Sequence, residues 1–144
     1  MNNTIKTLQQ LKQIRQQAVS QLTTELAKQK QLCSRYQQNI QALTLLNNES
    51  KVNGAPNATL LSNCSSYKNH LQRVIDWQKQ EHALADKTAQ TMQSHLVQEA
   101  CREKTVELVL DEQLDVEKLT KDRQQQKITD GLSTQCWLRH RQLE

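Results

Sequence analysis

Proline is the residue a helix tolerates least, and this chain of 144 residues contains one, Pro56. It stands two positions after Gly54, one of only two glycines, inside the stretch "NNESKVNGAPNAT". On either side the apolar residues recur at steps of three and four, the spacing of one face of an α-helix. A single break between two helical stripes permits few folds. It predicts an all-α chain, a two-helix antiparallel coiled-coil hairpin in which the second helix is much longer than the first. The boundaries read from the pattern are helix one over about 3–47, a turn over about 48–58 and helix two over about 59–140, in one domain spanning 1–144. Asn57 or Thr59 is suited to cap the second helix.

The first stripe runs Ile5, Leu8, Leu11, Ile14, Ala18, Val19, Leu22, Leu26, Leu32, Cys33, Tyr36, Ile40, Leu43 and Leu46, and thins at Gln29. The second runs Leu60, Cys64, Tyr67, Leu71, Val74, Gln78, His82, Ala85, Ala89, Met92, Leu96, Ala100, Val106, Leu110, Leu114, Ile128, Leu132 and Leu138. A turn centred near Val52 pairs residue i with about 104 − i, by symmetry of the two arms. Tyr36 then falls near Tyr67, and Leu43 near Leu60 and Leu61. Beyond about residue 103 the second helix has no partner within the chain. Its end, Glu103 to Leu143, is expected to offer Leu110, Leu114, Ile128, Leu132 and Leu138 to another molecule.

Composition decides between long helices and disorder. Only 35% of residues are hydrophobic and the mean hydropathy is −0.83, too little for a multi-layer core. Disorder would bring low leucine and frequent proline. Here leucine is second in abundance only to glutamine, so long helices sharing a thin seam fit better. Charge is unevenly spread. Before Glu49 six lysines and arginines face Glu25 alone, a net +5; from Glu103 to Glu117 six acids face Lys104 alone, a net −5. Such blocks point to charged partners.

Several function classes lack their residues. Phosphate-binding loops need clustered glycines. Bundle di-iron sites need Glu three residues before His, whereas His70, His82, His95 and His140 follow Tyr67, Lys79, Met92 and Trp137 at that spacing. His82 and Asp86 stand at i, i+4, which reads as a solvated pair; Cys101 beside Arg102 reads as an idle thiol. No catalytic residue, metal ligand or cofactor site is expected, and the chain is not expected to be an enzyme. The basic first helix has no interleaved aromatics, and no helix-turn-helix or zinc pattern accompanies it, so no nucleic acid is expected as a partner. Cys33, Cys64, Cys101 and Cys136 are scattered, which suits reduced thiols in the cytosol. No segment reaches the roughly 20 apolar residues of a membrane span.

Trp77 is one of only two tryptophans. On the second helix His70, Val74, Trp77 and Glu81 follow one another at steps of four, three and four, forming a strip beside the seam. Two uses are open to the ring. It can fold over helix one and thicken the core, or stand exposed as an anchor for a partner, the role in which tryptophan is enriched.

The hairpin layout, the connection "NGAPNATLLSNCSSYKNHL", the run Tyr67, Leu71, Val74 and the later "ACREKTVELVLDEQLDVEKLTKDRQQQ" together resemble the flagellar export protein FliJ family and the related rod proteins of non-flagellar type III secretion. Within Tyr67–Gln78 the chain departs from the family pattern: His70 replaces an aromatic, and Trp77 and Gln78 stand where Ala and Ile are common. The resemblance implies a non-enzymatic, stalk-like adaptor of the flagellar export apparatus. Its expected partners are the export ATPase ring, the cytoplasmic domain of the export gate and the export chaperones. It implies a cytoplasmic protein, peripheral to the inner membrane at the flagellar base and reaching the membrane through partners only. It also places the gate contact at His70, Val74, Trp77 and Glu81, and the ring contact at Leu110, Leu114, Ile128, Leu132 and Leu138. The rival readings are a generic coiled-coil scaffold and a basic, nucleic-acid-associated helical protein.

Overall fold

The computed structural model describes residues 2–49 and 58–143. They form α1, Asn2–Glu49, and α2, Ala58–Gln142, and no strand occurs among the described residues. This is the expected all-α, two-helix fold with a longer second helix. Gly54, Pro56 and the expected cap Asn57 lie outside the described residues. Neither helix needs rare local geometry. Threonines inside them, such as Thr7, Thr44, Thr88 and Thr120, return their hydroxyl protons to the carbonyl four residues earlier, so these polar side chains do not compete with the helix for solvent.

Burial follows a strict heptad pattern. On α1 the less exposed positions include Ile5, Leu8, Lys12, Arg15, Val19, Leu22, Leu26, Gln29, Cys33, Tyr36, Ile40, Leu43 and Asn47, at steps alternating three and four. On α2 they include Cys64, Lys68, Leu71, Ile75, Gln78, His82, Ala85, Ala89, Met92, Leu96, Glu99, Glu103, Val106, Leu110, Gln113 and Glu117, in the same alternation. That is the seam geometry of a coiled coil.

The chain divides into two compact units, Val19–Gln98 and Met1–Ala18 with Glu99–Glu144. In the Val19–Gln98 unit the core is Leu26, Leu71, Ile75, Ala85 and Ala89. The thinning at Gln29 is filled by a polar contact: Gln29 Nε2 donates to the backbone carbonyl of Ala85 at 3.0 Å. Near the connection Asn47 Nδ2 reaches Gln72 Oε1 at 3.4 Å, and Gln72 Nε2 donates to Asp76 Oδ1 at 3.0 Å. The seam here is polar enough to strand groups: Gln78 Oε1 and Asn47 Oδ1 are buried without a hydrogen-bond partner. In the other unit Ile5 and Leu110 are buried, and Arg15 of α1 pairs with Glu99 of α2.

These contacts correct three expectations. First, the pairing register differs. Gln29 opposite Ala85, and in the other unit Arg15 opposite Glu99, each put residue i level with about 114 − i, roughly three helical turns from the expected 104 − i. Leu43 is therefore not level with Leu60 and Leu61, which are exposed. Second, Tyr67 and Val74 are exposed, and their expected seam places belong to Lys68 and Ile75; Ile75, at 2% exposure, is the most buried core residue named. Likewise Glu99 takes the place expected of Ala100. Some of the polar seam residues find partners across it, Arg15 with Glu99 and Gln29 with the Ala85 carbonyl, which an apolar count does not register. Third, the uncovered part of α2 does not begin near residue 103. Leu110 is 4% exposed, level with Ile5 in this register.

Candidate functional site

In the Val19–Gln98 unit the expected strip is present. His70 and Val74 are exposed, Trp77 is 56% exposed, and Glu81 is half-buried. The ring does not fold over α1 to thicken the core. The heptad repeat explains why: Trp77 lies one residue before the seam position Gln78 and two after Ile75, on the flank of the helix. The same two columns also carry Tyr67, seven residues before Val74, and Leu84, seven after Trp77, and both are exposed. The strip is thus longer than the sequence reading made it. The apolar stripe puts Tyr67 on the seam and leaves out Leu84, although the spacing 70, 77, 84 carries the signal.

In the other unit two features stand apart. One is ionic. Glu99, 6% exposed, accepts from Arg15 Nη1 at 3.2 Å through Oε2 and from Arg102 Nη1 at 2.7 Å through Oε1. A buried carboxylate held by two guanidinium groups is satisfied, so this is a structural cluster. Cys101, beside it in sequence, is exposed.

The other is the end of α2. From Lys118 to Leu143 every residue is exposed. The heptad positions that carry the seam further back become Thr120, Gln124, Lys127, Gly131 and Thr134. The apolar residues Leu119, Ile128, Leu132, Trp137 and Leu138 leave the seam and spread around the helix. Taking Ile128 as zero, Leu132 lies at about 40°, Leu119 and Trp137 at about 180°, and Leu138 at about −80°. Of the residues expected to meet a partner here, Leu114, Ile128, Leu132 and Leu138 are exposed, and Leu110 is in the core.

Among the described residues no three His, Cys, Asp or Glu side chains gather closely enough to hold a metal ion. His82 is half-buried in the seam, and Asp86 Oδ2 accepts from Gln90 at 3.4 Å. No helix, among the described residues, is long and apolar enough to cross a membrane. Two exposed surfaces carry apolar side chains: the strip through Trp77 in one unit and the end of α2 in the other.

Comparison with known proteins gives one positive result. The family model described as Flagellar FliJ protein matches residues 4–142. No curated protein and no solved structure matches the chain.

Proposed function

Because the chain belongs to the FliJ family, non-catalytic components of flagellar protein export, we propose that it acts as a stalk-like adaptor that binds and stimulates the export ATPase ring. The observation that carries this reading is the end of α2. A helix meant for one partner helix keeps its apolar residues in a stripe. Here they point to several sides, the arrangement a helix needs when its partner surrounds it. A ring does so: Leu114, Ile128, Leu132 and Leu138, within about 120° of one another, would meet its wall on one side, and Leu119 and Trp137 on the other.

The strip on the other unit serves a second contact. His70, Val74, Trp77 and Glu81, extended by Tyr67 and Leu84, offer a ring-bearing surface on α2, and the cytoplasmic domain of the export gate is its proposed partner. Export chaperones are a further partner. The protein then works in the cytoplasm at the flagellar base, peripheral to the inner membrane and held there through its partners. The absence of a membrane-spanning helix among the described residues accords with that placement.

The test is a pull-down from the cytosol of a flagellated host, followed by addition of the purified chain to the recovered ATPase. Capture of the export ATPase and a rise in its hydrolysis rate are expected. Self-association with no effect on the ATPase would favour a generic scaffold, and salt-sensitive DNA binding alone a nucleic-acid role.

A further inference from the structure

The exposed end of α2 changes charge sign abruptly. From Glu103 to Glu117 the net charge is −5; from Lys118 to Leu143 six lysines and arginines face two aspartates, a net +4. The boundary falls between Glu117 and Lys118; Leu110 is the last apolar seam position, Gln113 and Glu117 follow it, and from Lys118 to Leu143 every residue is exposed. Among the described residues folding joins the two blocks by one ion pair. Lys121 bridges back to Glu117 at 3.5 Å, and Arg141 lies over the Trp137 ring at 5.2 Å. Lys118, Arg123, Lys127 and Arg139 remain exposed, as do Asp111, Glu112 and Asp115 on the acidic side.

The cations, like the apolar residues, are not on one face. Arg123 lies about 140° round the helix from Lys118 and about 160° from Arg139. A flat acidic surface would meet only some of them. A socket lined with carboxylates on all sides meets every one, while its apolar wall segments take Leu119, Ile128 and Leu132. The acidic stretch Glu103–Glu117 meets repulsion from the same lining.

We infer that the end of α2 enters an acid-lined, encircling protein socket, and that the charge step at Glu117/Lys118 sets how far it enters. This rests on the stalk reading and specifies the chemistry of the ring's lining. Exposed apolar residues between the cations favour a protein over a nucleic acid, whose phosphate backbone would leave Leu119, Ile128 and Leu132 uncovered. The acidic stretch next to them would be repelled along any polyanion.

The test uses the full chain and the purified export ATPase, with binding followed over roughly 50 to 500 mM salt, a range that compresses the screening length severalfold. Affinity should fall steeply with salt. The variant Lys118→Gln/Arg123→Gln/Lys127→Gln should bind about tenfold or more weakly at low salt, with a flatter salt dependence. The variant Asp111→Asn/Glu112→Gln/Asp115→Asn should enter further. In a Cys101→Ser background, a cross-linker on the exposed Cys136 should then join to different ATPase residues. Unchanged cross-links would overturn the depth stop. Salt-insensitive binding, indifferent to the cations, would overturn the acid-lined socket and leave the stalk reading standing. Binding of a short DNA duplex as tight as that of the ATPase, lost with the same three cations, would also overturn it. No binding of the unaltered chain at any salt would defeat the stalk reading itself, and this inference with it.

Discussion

Arg15 reaches from α1 to Glu99 of α2, Nη1 to Oε2 at 3.2 Å, and joins a carboxylate already held by Arg102. The pair does more for register than for stability. Two charges drawn into a seam lose hydration that their attraction only partly returns. Any slip of one helix along the other would leave Glu99 buried with one guanidinium fewer.

Arg15→Ala is therefore expected to cost about 1–3 kcal/mol, less than a fully buried pair because Arg102 stays in place and Arg15 is itself partly exposed. Arg15→Ala/Glu99→Leu, which removes the charge as well, should recover most of that loss. Urea denaturation followed by circular dichroism measures both; an Arg15→Ala chain as stable as the unaltered one would show the pair is not formed in solution.

The neighbours Val74 and Ile75 give a second test, because both are apolar and only one is in the core. Ile75→Ala should lower stability by about 2–4 kcal/mol, and Val74→Ala by under about 1 kcal/mol. The reverse order of the two midpoints would restore the seam read from the sequence stripe.

This adjacent pair marks how much of the fold is legible in the sequence. The break at Gly54 and Pro56 announced two helices, because nothing else in the chain interrupts helical spacing. The strip through His70, Val74 and Trp77 followed from helix geometry alone. Three things did not. With Val74 and Ile75 adjacent, either could continue the stripe, and periodicity within one helix does not choose. Arg15, Glu99, Lys68 and Gln113 take seam positions that a search for apolar residues passes by. The register rests on pairs across helices, Arg15 with Glu99 and Gln29 with Ala85, and a symmetric turn departs from it by about three turns. In the symmetric register Leu110 lies beyond the end of α1 and reads as uncovered.

Trp77→Ala removes an exposed ring that the hairpin core does not use. The helix signal and urea midpoint should change little, while binding to the gate's cytoplasmic domain should weaken by about 2 kcal/mol or more, read by calorimetry. A folded Trp77→Ala chain with unaltered gate affinity would remove the strip from the proposal.

Gly131 lies inside α2, and a Cβ there would meet nothing within 4 Å. Gly131→Ala should strengthen the end of the helix by up to about 1 kcal/mol, seen as slower amide exchange around it. If the ATPase wall approaches closely at this point, the same change should weaken ring binding despite the stiffer helix. Slower exchange with unchanged binding would place the wall elsewhere on α2.

The uncovered end of α2 is proposed to act on the export ATPase. The most direct measurement compares ATP hydrolysis by that enzyme in the presence of the full chain and of a chain ending at Gln126. The seam residues of both helices lie before the cut, so the shortened chain should keep its hairpin helicity. The full chain should raise the hydrolysis rate, and the shortened chain should lose most of that effect. Full stimulation by the shortened chain would contradict the proposal.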